Sequence, residues 1–192
     1  FDIFYKGIPI IVEAGTSTYE YGSLRLFQRS ASAHNIFQLG HEKNCKWIEP
    51  VEVWGNFRAG FKANPLDYFA EVLEDKTLTV NGSHDGFLRF GANYSRQLFC
   101  FLTRDGHLKF TLVDKISNIK KMFWRQFWHF SPIFNLHECK SFIKQINNQD
   151  IFNYNFYESD FANGFGKLSK RHTIKLYGMI EPGDHFFKHE IL

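Results

Sequence analysis

The amino-acid sequence predicts an all-β protein, an antiparallel β-sandwich in which two stacked sheets contain many short strands and there is little helix. Three observations support this prediction. Short apolar or alternating runs recur along the 192 residues, and Gly, Asn and Asp turns separate them. Aromatic residues make up 18% of the chain and include 23 Phe, and flat rings favour the half-buried surface of a sheet. No segment carries the long apolar periodicity of a convincing helix.

The composition excludes several classes of protein. Hydrophobic residues make up 44% and charged residues 22%, an ordinary globular balance that a disordered tail does not have. The net charge of +3 is too small to indicate a nucleic-acid-binding protein. No run approaches the roughly 18 apolar residues of a membrane span, so none is predicted. Three cysteines without a CxxC pair indicate free thiols, and neither a disulfide framework nor a zinc finger.

The length favours a single domain over residues 1–192. Because the chain starts at Phe1 and enters a strand almost at once, we expect it to be a piece of a longer protein.

The first two predicted strands cover 2–5 and 8–12, and the apolar centre of the second is typical of a buried strand. Further strands are predicted at 36–39, 47–54 and 57–63, and one or two within 69–80, which we expect Asn81-Gly82 to end.

The clearest local pattern covers residues 94–113. Leu98, Cys100 and Leu102 occupy alternate positions, Asp105-Gly106 follows them, and a second alternating run begins at Leu108. Two alternating runs on either side of an Asp-Gly pair predict a β-hairpin.

The run at 122–130, MFWRQFWHF, is apolar on both faces, which predicts a strand inside a sheet or between two sheets. Residues 133–146 fit either a helical turn or a pair of strands. The rest of the chain is predicted as a strand at 152–157, a glycine-bearing loop at 160–166, and closing strands at 172–177 and 185–191.

Residues 15–35 concentrate groups that suit a polar ligand. The segment contains Tyr19, Tyr21, Arg25 and Arg29, and it ends in an Ala-His-Asn run at His34. His34 resembles His84 in its surroundings, because each histidine lies in polar surroundings, among small residues, at the end of a predicted strand. Glycines and small residues at such positions allow a ligand to approach the backbone closely.

Four segments, taken in order, resemble the C-terminal domain of the heparinase II/III-like family of bacterial polysaccharide lyases. They are IPIIVEAGTSTYEYG, RSASAHN, VWGNFRAG and SHDGFLRFGANYSRQLF. The family carries, in the same order, a Gly-Thr-x-x-Tyr turn, an Arg-Ser-Thr-x-Ala-His-Asn run, a Trp-x-x-Phe-Arg strand and a His-Asp-Gly-Tyr segment. The resemblance spans essentially the whole chain.

The resemblance implies an enzyme with two parts, an N-terminal α/α toroid that is absent here and a C-terminal β-sandwich. Such enzymes cleave uronate-containing acidic polysaccharides, such as glycosaminoglycan or alginate, by β-elimination. The partners implied are therefore an acidic polysaccharide and the missing toroid, and the compartment implied for a bacterial parent is periplasmic or secreted. Since much of the catalytic machinery of the family lies in the toroid, we expect the fragment alone to be inactive.

The resemblance also implies site residues. A structural zinc ion would be held by His34, Glu52 and His84, where Glu52 is matched by its spacing of 18 residues after His34. Two imidazoles and a carboxylate are a donor set that suits zinc. A catalytic histidine of some relatives falls at Ser32 here, so that its role is either missing or taken by His34.

Three further residues are predicted to bind substrate: Arg29, Asn35 and Arg96. A guanidinium group pairs well with a substrate carboxylate. For Arg29 an equal alternative is that it braces its loop through backbone carbonyl groups. For Tyr19 and Tyr21 the favoured interpretation is local packing of the ring.

Two other functions are compatible with the sequence. The chain would be a non-catalytic carbohydrate-binding module if aromatic side chains such as Trp47, Trp54 or Trp124 stack on sugars. Alternatively, it would be a structural domain that buttresses the toroid, which predicts an exposed apolar patch and an enzyme that tolerates His34→Ala.

Overall fold

The computed structural model describes residues 1–43, 46–55, 57–145 and 153–191. Cys45, Ile146 and Phe152, which the predictions above include, lie outside the described residues. The described residues fall into two compact units. The first unit contains residues 1–62, 123–139 and 153–178, and the second contains residues 63–122, 140–145 and 179–191.

The structure describes fourteen strands and two short α-helices. In chain order they are β1 (Ile3–Tyr5), β2 (Ile8–Ile11), α1 (Ser23–Arg29), β3 (Phe37–His41), β4 (Val51–Trp54), β5 (Arg58–Lys62), β6 (Pro65–Val72), β7 (Leu78–His84), β8 (Ala92–Leu102), β9 (Leu108–Asn118), β10 (Met122–His129), α2 (Leu136–Phe142), β11 (Ile143–Gln145), β12 (Asn153–Ala162), β13 (Leu168–Ile180) and β14 (Gly183–Ile191). Short 3-10 turns cover Ala31–Ala33 and Asp85–Phe90.

The first unit contains a four-stranded sheet with the strand order β12-β13-β10-β3 and two small hairpins, β1-β2 and β4-β5. As predicted, β10 is buried on both faces: Trp124 and Trp128 lie on one face, and Phe127 lies on the other. Phe37 of β3 stacks on Trp124, with ring centroids 5.3 Å apart. Burial of these rings contributes to the apolar core of this unit.

The end of β2 lies against the end of β10. Ile11 forms a bridge with Phe130, and the Val12 N–H donates to the His129 carbonyl group at 2.9 Å. Ile11 and Val12 are buried, but Ile8 is 50% exposed, so that the IPIIV run, predicted as a buried strand, is buried only at its end. This pairing places Glu13, the next residue along the chain, beside the loop that carries His34.

The second unit contains a six-stranded antiparallel sheet with the order β11-β14-β9-β8-β7-β6. The predicted hairpin is confirmed, because β8 and β9 pair from Ala92–Asn118 to Leu102–Leu108. The turn between them closes with a hydrogen bond of 2.8 Å from the Thr103 N–H to the His107 carbonyl group. Gly106 takes a positive φ of 81° there, which a glycine adopts at little cost.

One predicted turn is wrong. Asn81 and Gly82 lie inside β7, where both pair with residues of β6 and β8, and the chain reverses earlier, between Leu73 and Thr77. Asp75 caps that turn by accepting a hydrogen bond of 2.9 Å from the Thr77 N–H. A strand with neighbours on both sides therefore outweighs the local turn preference of Asn-Gly.

Other differences are small. α1 lies within residues 15–35, and its seven residues are too few to show helical periodicity in the sequence. Residues 133–145 contain both a helix and a strand, because α2 is followed directly by β11. The loop predicted at 160–166 begins later, since β12 continues to Ala162.

Strands dominate the described residues, and each of the two α-helices described has seven residues, so the predicted all-β class with little helix is confirmed. Within the part of the chain that the structure describes, neither helix is long enough to cross a bilayer.

Cys100 and Cys139 are free thiols, as predicted. Burial, together with the charge of Glu138, raises the pKa of Cys139 to about 12, so this thiol is unreactive near neutral pH.

Candidate functional site

His34 forms a hydrogen bond with the carboxylate of Glu13 in the first unit. The 3-10 turn at Ala31–Ala33 ends at His34, and β2 delivers Glu13 two residues after its last residue, Ile11. The Nδ1 atom of His34 bonds to the Oε2 atom of Glu13. The imidazole is 38% exposed, so that this pair is accessible from outside the unit.

The other oxygen of the Glu13 carboxylate is held by the backbone. Oε1 accepts hydrogen bonds from the Phe1 amino group at 2.9 Å and from the Asn35 N–H at 3.1 Å. Burial alone raises the pKa of Glu13, but the hydrogen bonds from His34 and from the Phe1 amino group outweigh burial and lower the pKa to about 2. Glu13 is therefore ionised at neutral pH.

This pair determines what the imidazole of His34 can do. Because a carboxylate accepts hydrogen bonds and cannot donate them, the proton of a neutral His34 lies on Nδ1. The Nε2 atom is then the ring nitrogen that accepts a proton or binds a ligand. A carboxylate behind a histidine also stabilises the imidazolium that forms when Nε2 takes up a proton.

Asn35 locks the His34 loop to the core. Its buried side-chain amide donates to the carbonyl groups of Phe1 at 3.1 Å and Val12 at 3.2 Å. Its side-chain oxygen accepts a hydrogen bond of 2.8 Å from the His129 N–H. In this structure Asn35 positions its neighbour His34, and its predicted contact with substrate stays a prediction.

A buried arginine supports the same loop from behind. Arg171 of β13 donates to the carbonyl groups of Val12 at 2.6 Å and Ala33 at 3.3 Å. Burial lowers the pKa of Arg171 to about 10, so the guanidinium stays charged at neutral pH.

The buried imidazole of His129 lies near this arginine. The Nδ1 atom of His129 bonds to the Thr173 hydroxyl at 2.8 Å. Burial and the charge of Arg171 hold the pKa of His129 well below its usual range, and this ring is neutral.

Arg29 braces the β4-β5 hairpin, as the alternative interpretation of this residue predicts. Its Nη1 atom donates to the carbonyl groups of Gly55 at 2.5 Å and Arg58 at 3.2 Å. A substrate contact of Arg29 stays a prediction.

Arg96 and His84 lie in the second unit. Arg96 pairs with the buried carboxylate of Asp114 through two hydrogen bonds, of 2.7 Å and 3.0 Å, and the Tyr94 hydroxyl donates to the same carboxylate at 2.6 Å.

The His84 ring packs against Phe87 and Tyr94. Burial lowers the pKa of His84, and its Nδ1 atom accepts a hydrogen bond of 3.1 Å from the Gly86 N–H.

The predicted zinc ligands lie in different units, His34 and Glu52 in the first and His84 in the second. The carboxylate at His34 is that of Glu13, whereas the Glu52 carboxylate faces the Phe61 N–H of its own hairpin at 3.5 Å. Among the described residues, no group of three or more His, Cys, Asp or Glu side chains is placed to hold a metal ion. The zinc set stays a prediction.

Sequence reasoning missed the residues that build the His34 site. They are Glu13, His129, Arg171 and Thr173. Only Glu13 carries a signal in the sequence, because it is a lone acidic residue directly after a buried apolar strand. The others come from strands more than 90 residues further along the chain, and only the pairing of strands brings them to His34.

Comparison with known proteins places the chain in a family. The model of the heparinase II/III-like C-terminal family matches residues 1–170. No curated protein sequence matches this chain.

Solved structures show the same fold. A heparan sulfate lyase, HepC, from Pedobacter heparinus superimposes with a TM-score of 0.66 at 14% identity, over 99% of this chain and 29% of that protein. A heparinase III superimposes with a TM-score of 0.65 at 13% identity, over 100% of this chain and 28% of that protein. This chain therefore spans less than a third of the length of these lyases.

These similarities confirm the antiparallel β-sandwich predicted from the sequence. They also confirm the resemblance of the four ordered segments, because the family match extends over 170 of the 192 residues. The chain belongs to the heparinase II/III-like C-terminal family.

Proposed function

We propose that this chain is the C-terminal part of a polysaccharide lyase that cleaves uronate-containing acidic polysaccharide by β-elimination. Membership of the family supports the reaction class. The observation that carries the proposal is the accessible His34 with an ionised carboxylate at Nδ1. That arrangement is typical of a histidine that accepts or delivers a proton.

The chemistry needs a base at the uronate ring. A base removes the proton at C5, next to the carboxylate, and a double bond forms between C4 and C5. The bond from C4 to the glycosidic oxygen breaks, and the leaving oxygen takes a proton. The carboxylate carries the developing negative charge, so cationic or hydrogen-bonding groups must stabilise it.

In this scheme Nε2 of His34 exchanges a proton with the substrate. Glu13 keeps the other proton on Nδ1 and stabilises the imidazolium. Asn35 and Arg171 hold the loop, so that the imidazole keeps one orientation. Groups that neutralise the substrate carboxylate are supplied by the remainder of the parent protein.

The isolated 192 residues are inactive under this proposal. The solved lyases to which the chain is similar are more than three times as long, and the chain spans 28–29% of them. The partner is an N-terminal helical domain of the parent that completes the substrate cleft.

The test is a comparison of the full-length protein encoded by the gene with its His34→Gln variant. The rate of formation of unsaturated uronate product, followed by ultraviolet absorbance, is expected to fall by about 10²–10⁴-fold, because a positioned general base contributes that much. His107→Gln is the matched control, because this imidazole is 81% exposed beside a hairpin turn. Equal rates for His34→Gln and wild type would exclude the proposed role.

Carbohydrate binding without catalysis is the second candidate function, since several aromatic side chains are exposed. Trp54 is exposed on β4, but Trp124 is buried in the core and unavailable to a sugar. The Arg125 guanidinium covers the ring of Trp47 at 4.0 Å. A full-length protein that binds acidic oligosaccharide without forming unsaturated product would support this function.

A further inference from the structure

Three aromatic side chains from separate loops of the first unit meet at its surface. Tyr19 lies 5.4 Å from Phe57 and 5.3 Å from Phe165 between ring centroids. The exposed fractions are 50% for Tyr19, 69% for Phe57 and 67% for Phe165. We call Tyr19, Phe57 and Phe165 the aromatic platform. Contiguous exposed rings mark interaction sites, because a fold gains nothing by leaving them in water.

The backbone holds the loops of the platform in place. The Gly166 N–H donates to the Ser17 carbonyl group at 2.7 Å, which ties the loop of Phe165 to that of Tyr19. Arg29 holds Gly55, two residues before Phe57, at 2.5 Å. Gly15 has a positive φ of 68° and approaches Ala162 closely. The platform is therefore built before any ligand arrives, which reduces the entropy lost on binding.

A guanidinium group lies against two of the rings. The central carbon of Arg25 is 5.4 Å from the centroid of Tyr19 and 5.9 Å from that of Phe57. Its Nη1 atom donates to the Thr16 hydroxyl at 3.4 Å. Because Arg25 is largely buried, its positive charge is poorly screened by water and acts at the platform.

The charged neighbours of the platform residues along the chain are mostly cationic. Arg58 follows Phe57 directly, and Lys167 lies two residues after Phe165; both are exposed. Glu20 is the acidic residue beside Tyr19. Arg25 lies against the rings, and two cations and one carboxylate are near the platform residues in the sequence. This excess of positive charge favours an anionic ligand over a neutral one.

We propose that the aromatic platform binds an acidic saccharide through one of its uronate units. The apolar face of the sugar ring packs on the aromatic rings, and the uronate carboxylate is attracted by Arg25, Arg58 and Lys167. The class of ligand rests on the proposed function, whereas the position of the site rests on the rings and charges alone. Convergent rings with a few charged groups are the usual composition of such sites.

The experiment is a calorimetric titration of the 192-residue chain with a uronate-containing tetrasaccharide. Phe57→Ala and Phe165→Ala are each expected to weaken binding by about tenfold, the loss that corresponds to one aromatic contact. Phe4→Ala is the matched control, because Phe4 is 59% exposed on β1 of the same unit and lies outside the platform. Circular dichroism and thermal melting establish that each variant is folded.

The charge argument has its own measurement. A neutral tetrasaccharide of the same ring type is expected to bind at least tenfold more weakly, and added salt is expected to weaken only the acidic ligand. Equal affinity for the two saccharides would overturn the proposal. Unchanged affinity in both platform variants, or an equal loss in Phe4→Ala, would overturn it as well.

Measurements on the full-length protein separate this proposal from the proposed function. If the double variant Phe57→Ala, Phe165→Ala forms unsaturated product with an unchanged KM, the platform is excluded and the lyase stands. If the tetrasaccharide binds at the platform and no product forms, the platform stands and the lyase is excluded.

Discussion

At the scale of single residues, three charged groups that lie largely inside the fold have partners in the structure. Glu13 meets His34, Arg171 meets two backbone carbonyl groups, and Asp114 meets Arg96 and Tyr94. An ionised group taken out of water is tolerated only when hydrogen bonds replace its hydration. A substitution of Asp114 therefore leaves the charge of Arg96 without its partner, and a substitution of Arg171 leaves two carbonyl groups without their donor.

Asp114→Asn tests this at the ion pair of the second unit. The variant keeps the size of the side chain but leaves the buried guanidinium of Arg96 opposite a neutral amide. Breaking a buried pair in this way costs about 3–5 kcal/mol, so the urea midpoint should fall markedly. Asp105→Asn is the control, since Asp105 is 73% exposed in the hairpin turn and its loss should leave the midpoint unchanged. A midpoint for Asp114→Asn equal to that of the control would contradict the assignment.

Glu13 gives a prediction about pH. Its pKa of about 2 in the folded chain lies below the ordinary value of 4.5, so its contribution to stability is complete above pH 4.5 and is lost as the pH falls towards 2. The difference in urea midpoint between wild type and Glu13→Gln should therefore be constant at pH 5–7 and shrink at lower pH. A difference that stays the same down to pH 2.5 would show that folding does not lower the pKa of Glu13.

At the scale of elements, alternation predicts strands well where a turn signal and the pattern agree. The β8-β9 hairpin meets both conditions, and its pairing follows the prediction closely. The turn expected at Asn81-Gly82 fails because β7 has a strand on each side, and those neighbours are not visible in a local window. α1 was missed because seven residues hold barely two helical turns.

Gly15 lies in the loop between β2 and α1, where the addition of one methyl group should lower the stability of the fold. An added Cβ would lie 2.8 Å from the carbonyl oxygen of Ala162, and φ is +68°. Gly15→Ala should therefore lose about 1–2 kcal/mol from backbone strain alone and more from the contact. Gly7→Ala separates the two effects, because Gly7 also has a positive φ, of 80°, but open space at its Cβ. Equal thermal shifts for the two variants would show that the contact costs nothing.

At the scale of the whole molecule, the sequence predicted the fold class and the family but only part of the site. His34 was found because a motif marks it, whereas Glu13 was found only in the structure. The motif residues Arg29, Asn35 and Arg96 all bond to groups of their own unit. A motif identifies which residues a fold needs, but their partners depend on strand pairing across the chain.

The zinc prediction is tested on the purified 192-residue chain by elemental analysis. If His34, Glu52 and His84 hold a metal ion, wild type should contain about one zinc per chain, and His84→Ala should contain far less. His107→Ala provides the control for loss of an imidazole elsewhere. Negligible zinc in wild type and variant alike would remove the prediction.

The hydrogen bonds of Arg171 connect residues that the ribosome makes far apart in time. Arg171 reaches the carbonyl group of Val12, 159 positions earlier, and that of Ala33, 138 positions earlier. During synthesis the segment that bears His34 therefore lacks the hydrogen bonds from Arg171 until residue 171 has been translated. A truncated product that ends before β13 would carry the whole Ala-His-Asn motif and yet be unable to set its imidazole in place.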